Sequence, residues 1–276
     1  MRVGLSTPDF ITEQLFCDMQ SAGITDMEIS VSKELSEKLD YEKIKEWSKK
    51  YSVNLWSFHL PFWPFSEIDI SKPEIARESV EYLKGYIDKA SKIGVDKFII
   101  HASGEPIEDS ERGVRMETAK KSLFELATYA AERGACVLVE NLPRTCLGRN
   151  SSEILELLGA HKDLKACFDT NHLLGQDYVD FIHAIGKNIA TTHISDYDFK
   201  DERHWLPGEG KIDWQRLIGA LADVGYDEMW LYEIGLKASW TITRDRDLNI
   251  EDFAQNARTL FEGKTPAPLG TPKSDL

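Results

Sequence analysis

Residues 136–141 read CVLVEN, four apolar residues that stop on Glu140. A buried strand does not ordinarily end on an acid, because an unpaired charge at the margin of a core is costly. The same ending recurs along the chain. It appears in LWSFHL (55–60) at His59, KFIIHA (97–102) at His101, ACFDTNH (166–172) at Asp169 and His172, ATTHISD (190–196) at His193 and WLYEI (230–234) at Glu233. Repeated at intervals of a few dozen residues, the pattern predicts strands whose polar ends converge on one site.

Outward from these segments, β-rich runs alternate with helical patterns. Strands are predicted at 2–6, 26–30, 53–59, 96–101, 136–140, 165–169, 189–194 and 229–233. Helical stretches follow at 11–22, 41–50, 73–93, 114–133, 151–160, 177–186, 213–224 and 250–262, several ending at a glycine suited to a C-cap, such as Gly23 and Gly225. Eight β-then-α units have the length and rhythm of an α/β protein built as a single-domain (β/α)8 TIM barrel over residues 1–263. The tail KTPAPLGTPKSDL (264–276) is read as flexible, or as an arm packed on a neighbouring subunit of a homo-oligomer. A doubly wound open sheet would more often carry a Gly-rich phosphate loop after its first strand, where this chain has STPDF (6–10). In a barrel the active site forms at the C-terminal strand ends, which is where the polar residues of strands three to eight fall.

The totals narrow the function classes. Of 276 residues, 42 % are hydrophobic and 29 % charged, a globular composition. Against 33 basic residues stand 47 acidic ones, a formal net charge of −14 that disfavours nucleic-acid and anionic-membrane partners. No apolar run approaches a membrane span, and MRVGLSTPDF lacks the apolar core of a secretion signal. Cys17, Cys136, Cys146 and Cys167 show no CxxC spacing, so a reducing cytoplasm is the expected setting.

Glu140, Asp169, His193 and Glu233 come from four consecutive predicted strands and can surround one divalent cation. Three carboxylates and an imidazole make a hard donor set that favours Mn²⁺, then Mg²⁺ or Co²⁺, over a closed zinc site, with Zn²⁺ still compatible. Two glutamates from strands five and eight also suit proton transfer on either face of a sugar whose hydroxy-carbonyl is held by the metal. Plainer readings stand beside these. Glu140 ahead of Asn141 and Pro143 can cap the next helix, Asp169 before Thr170 suits an Asx turn, and a lone strand-end histidine is more often a satisfied core residue. Phe62, Trp63 and Phe65 of PFWPF either stack on substrate or pack the loop down. Lys200, Arg203 and Lys211 can meet a phosphate or carboxylate or form a solvated face equally well, and Trp240 and Arg244, in the long loop GLKASWTITRDRDLN after strand eight, are further pocket candidates.

VLVEN, FDTNH, HISD with the downstream PGEGKIDW, and LYEI together resemble the xylose-isomerase-like barrel superfamily. Within it they most resemble the sugar phosphate isomerase/epimerase group, with its ketose 3-epimerases and inosose dehydratase. The resemblance implies that Glu140, Asp169, His193 and Glu233 ligate metal, that Glu140 and Glu233 double as the acid–base pair, and that His172 touches substrate oxygens. Cys146 stands where the ketose 3-epimerases carry a second Glu, a departure that bears on the substrate. Arg203 takes the part of their substrate-binding Arg, at a longer spacing from His193. The chain also resembles endonuclease IV, a DNA-repair hydrolase with three zinc ions. That likeness implies further ligands at His59, His101, His172, His204 and Glu202, the last replacing an Asp. The acidic balance argues against DNA, so His59 and His101 are read as substrate contacts or partners of the ligands. The resulting expectation is a divalent-metal-dependent isomerase or epimerase of a small sugar or polyol. A dehydratase or lyase, and a multi-zinc hydrolase, are the alternatives.

Overall fold

The computed structural model describes residues 1–7 and 10–274. Pro8 and Asp9 of the first turn, and the last two residues of the tail, lie outside the described residues. The strands are β1 (Arg2–Ser6), β2 (Asp26–Ile29), β3 (Asn54–His59), β4 (Lys97–Ile100), β5 (Cys136–Glu140), β6 (Lys165–Asp169), β7 (Ile189–His193) and β8 (Met229–Tyr232). All neighbouring pairs are parallel, in the order β7-β6-β5-β4-β3-β2-β1-β8. The remaining seam closes just past β7, where the Ile194 N–H donates to Leu231 O at 2.8 Å and the Glu233 N–H donates to Ile194 O at 3.2 Å. The helices are α1 (Glu13–Ala22), α2 (Lys33–Lys38), α3 (Tyr41–Tyr51), α4 (Ala76–Ser91), α5 (Asp109–Ala131), α6 (Ser151–Leu158), α7 (Tyr178–Ile185), α8 (Trp214–Asp223) and α9 (Ile250–Phe261). The fold is a TIM barrel, and none of its described helices is long and apolar enough to cross a membrane.

Period-two alternation sorts each strand's side chains between two cores. On β5, Val137 and Val139 join the large core beneath the helices, with Phe98, Phe168, Trp230 and Tyr232. Leu138 points the other way and packs with Ile99 and Cys167, while Trp56, Met229 and Leu231 form a second interior cluster. The Trp56 indole N–H reaches Thr191 Oγ1 across the interior at 3.0 Å. This plug forms a floor. The next inward positions toward the C-terminal rim are His101, Glu140, Asp169, His193 and Glu233, which explains why the strand ends change from apolar to polar.

The PGEG segment has a local structural duty. Asp196, fully buried, accepts from the Gly208 and Ile212 N–H groups at 2.9 and 3.1 Å and from the Trp214 indole at 3.0 Å. A Cβ at Gly210 would lie 2.3 Å from Asp196 Oδ1 and 2.5 Å from the Tyr197 carbonyl, so this loop closes only over a glycine. The tail is tied down as well. Gly270–Pro272 (β10) pairs antiparallel with Ile242–Arg244 (β9), and the Lys273 N–H donates to Thr241 O at 3.0 Å. Residues 270–273 thus lie on their own barrel, a pairing the sequence reading did not include.

Gly210→Ala should lower the urea-unfolding free energy by about 1–3 kcal/mol, the usual range for overpacking a tight site. Gly219→Ala serves as its control, because Gly219 sits mid-α8 with nothing near its Cβ position and should gain up to about 1 kcal/mol. Equal midpoints for the two variants would remove the packing role assigned to Gly210.

Candidate active site

Glu140 is the hub of the barrel mouth. Its side chain is buried, and its two oxygens collect three imidazoles. Oε2 lies 3.1 Å from Nε2 of both His59 and His101, and Oε1 lies 2.9 Å from His193 Nδ1. Burial alone would push the Glu140 pKa up, yet His193 and the hydrogen bonds from His101 and His59 hold it well below the usual carboxylate range. Glu140 does not cap the next helix, since Asn150 caps α6 by accepting the Glu153 N–H at 3.0 Å.

Around His193 Nδ1 stand three carboxylates: Glu140 Oε1 at 2.9 Å, Glu233 Oε2 at 3.5 Å and Asp169 Oδ2 at 3.9 Å. Asp169 divides its work. Oδ1 accepts the Asn171 N–H at 2.6 Å in the Asx-type turn, while the buried Oδ2 has no hydrogen-bond partner. Asn141 fixes that strand end by accepting the Asp169 N–H at 2.8 Å and donating to the Asp169 carbonyl at 2.9 Å. Burial, reinforced by the Glu233 and Glu140 charges, raises the Asp169 pKa well above normal. Burial disfavours the charged form of His193 too, but Cys167, Glu233, Glu28 and Glu140 drive its pKa well above 6.5.

A divalent cation fits here. One donor atom from each of Glu140, Asp169, His193 and Glu233 lies within 4.8 Å of the others. A cation would give the orphaned Asp169 oxygen a partner and relieve the crowding of three carboxylates.

Two more donor groups flank the centre at the same spacing: His59–His101–Glu140, and His172–Glu202–His204. His172 Nδ1 donates to Asn141 O at 2.8 Å and presents Nε2 to Glu202 Oε1 at 2.8 Å. Burial opposes charge on His172, but Asp169 and Glu202 raise its pKa to about 10. Glu202 in turn falls to about 2, because His172 and Arg144 outweigh its burial. His59 and His204 follow the same plan, with Nδ1–H on the carbonyls of Leu60 (3.0 Å) and Glu233 (3.1 Å).

Beside Glu233 opens a cavity of about 370 Å³, lined among others by Ser6, Thr7, Ser32, Phe62 and His204. Phe62 stacks on His101 with ring centroids 4.0 Å apart. Trp63 is 62 % exposed and meets Phe65 edge-on, so Phe62 is the aromatic that reaches the pocket. Arg203 is buried, with its guanidinium on Asp198 at 3.1 Å. Arg244 is not a pocket residue, because its side chain is sealed in an ion pair with Glu209. Trp240 is 74 % exposed and lines none of this cavity, and Lys200 and Lys211 lie on the surface.

Sequence reasoning missed Glu28. It is fully buried on β2 and lies 3.0 Å from His193 Nε2. The signal was an acid inside the strand DMEI at an inward position, but it lacked the apolar-run-then-polar ending that marked the other sites.

The model of the xylose isomerase-like TIM barrel matches residues 17–252. An uncharacterized protein of Methanocaldococcus jannaschii is 24 % identical over 240 residues, spanning 82 % of this chain and 81 % of that protein. A fructoselysine 3-epimerase of Shigella flexneri is 25 % identical over 190 residues, 64 % of this chain and 68 % of its own length. The crystal structure of a D-psicose 3-epimerase in the presence of D-fructose shares the fold, with a TM-score of 0.75 at 16 % identity and coverage of 95 % and 98 %. With its barrel, its polar rim and a family match across most of its length, the chain belongs to the xylose isomerase-like TIM barrel family.

Proposed function

We propose that the protein is a divalent-metal-dependent isomerase or epimerase acting on a sugar or related polyol. The observation that carries this reading is the convergence of Glu140, Asp169, His193 and Glu233 around an unpartnered carboxylate oxygen at the edge of a polar cavity. Relatives named as 3-epimerases support it. The oxygen-rich donor set suits Mn²⁺ first, and Mg²⁺, Co²⁺ or Zn²⁺ after it. When bound, the ion supplies a Lewis acid that polarises a hydroxy-carbonyl and acidifies the neighbouring C–H. Glu233 lines the cavity with a side chain 22 % exposed, and so is placed to take that proton. Glu140 faces it from β5 with His59 and His101 on its second oxygen, a route for supplying a proton to the opposite face. Phe62 excludes water on one side, and His172 offers a hydrogen bond to substrate oxygens. The four free cysteines support a cytoplasmic setting.

A multi-metal hydrolase is the second reading, favoured by the two flanking donor groups. The net charge of −14 weighs against a DNA substrate. Metal content separates the readings: one ion per chain supports the isomerase, whereas three ions with nicking of abasic-site DNA supports the hydrolase.

Exhaustive chelation should abolish turnover in a screen of free and phosphorylated ketoses, and Mn²⁺ should restore it. Full activity with metal content confirmed at zero would sink the proposal. Glu140→Gln and Glu233→Gln should each lower kcat by roughly 10²- to 10⁴-fold while circular dichroism stays unchanged. Metal uptake should also release protons. His193 has a pKa raised well above 6.5 and must lose the proton on Nδ1 to ligate, so apparent Mn²⁺ affinity should keep climbing with pH above the ordinary imidazole range. Titration calorimetry in buffers of unlike ionisation enthalpy reads both effects, and a pH-independent affinity would contradict them.

A further inference from the structure

Glu28 sits across the barrel from β7 and is separated from His193 by 165 residues of chain. It is fully buried, and every donor aimed at it comes from a different strand. The Ser6 hydroxyl on β1 donates to Oε1 at 3.1 Å, the Ser57 hydroxyl on β3 donates to Oε2 at 2.7 Å, and His193 Nε2 on β7 lies 3.0 Å from Oε1 and 3.2 Å from Oε2. A carboxylate only accepts, so Nε2 carries a proton toward Glu28, and Nδ1, 2.9 Å from Glu140 Oε1, is the nitrogen that gives up its proton when the ring ligates a cation. That leaves Nδ1 facing Glu140, Glu233 and Asp169.

The arrangement is the reverse of its neighbours. His59, His172 and His204 place Nδ1–H on a backbone carbonyl and present Nε2. His193 presents Nδ1 instead, and what fixes it is the Glu28 side chain rather than the backbone. A ligating histidine whose other N–H rests on a carboxylate is both oriented and made a stronger donor.

We propose that Glu28, held by Ser6 and Ser57, is a positioning residue that sets the tautomer and ring orientation of His193 and thereby tunes cation affinity at the centre. The proposal rests on His193 being a ligand, as the proposed function has it. It goes further in assigning a role to a residue outside the donor set. Glu28→Gln preserves shape and one acceptor while removing the charge, so it is the variant of choice.

The test is calorimetric titration of the metal-free full chain with Mn²⁺ and with Zn²⁺. Glu28→Gln should weaken binding roughly 10- to 100-fold, as loss of such a partner does elsewhere. The same change placed on His193→Ala should cost nothing further, because Glu28 acts only through that ring. In the Zn²⁺-loaded wild type, nitrogen NMR should show His193 protonated at Nε2. Ser57→Ala, a milder change, should weaken binding by a smaller factor and covers the case in which Glu28→Gln does not fold. Wild-type binding matched by Glu28→Gln, an equal loss in the His193→Ala background, or a proton on Nδ1 would each overturn the assignment while leaving the metal centre intact. A wild type that takes up neither ion would overturn both.

Discussion

A carboxylate sealed at the end of β5 stays charged only if enough donors are brought to it, and Glu140 recruits three from separate strands. His59, His101 and His193 reach it because parallel strands in register end at one level, and each end has its inward position there. Removing the Glu140 charge would leave three largely buried imidazoles to find new partners. The site's electrostatics therefore depend on this one glutamate, and Asp169 and Glu233 crowd beside it, so that burial and the neighbouring charges raise the Asp169 pKa. The crowding of three carboxylates and the unpartnered Asp169 oxygen are what a cation would relieve at the mouth of the barrel.

Much of this was legible in the chain. Residues such as Glu140 and Asp169 end buried strands, and a polar residue in that position has few ordinary explanations. The barrel itself followed from the alternation of runs, since each apolar segment was short and several helical stretches ended at a glycine suited to a C-cap. What escaped notice shares a physical cause. Glu28 gains its meaning from His193, Ser6 and Ser57, contacts that closure of the barrel creates and that no local pattern announces. Arg244 looked like a pocket cation because its partner, Glu209, lies in a different loop. Helix α2 is one short stretch with a Ser32 cap, below the length at which periodicity speaks.

Several imidazoles in the mouth are locked in a defined orientation by groups that take no other part in the site. Carbonyls of Leu60, Asn141 and Glu233 do this for three rings, and a carboxylate does it for the fourth. Preorganisation of this kind lowers the entropy lost when a ligand is taken up. Binding in turn stabilises the folded chain in proportion to the logarithm of ligand concentration. Uptake of a cation at the proposed centre would accordingly stabilise the folded chain.

The antiparallel pair made by β9 and β10 has a practical side. Gly270 lies so close to the Arg244–Glu209 ion pair that a Cβ there would sit 3.0 Å from Glu209 Oε1 and 2.7 Å from Arg244 Cγ. Glu209 in turn accepts the N–H of Leu206, two residues beyond His204. Proteolytic nicking or a bulky fusion within residues 264–272 would be felt at the mouth of the barrel, so trimming the Pro-rich tail to aid crystallisation is not a neutral choice for this barrel.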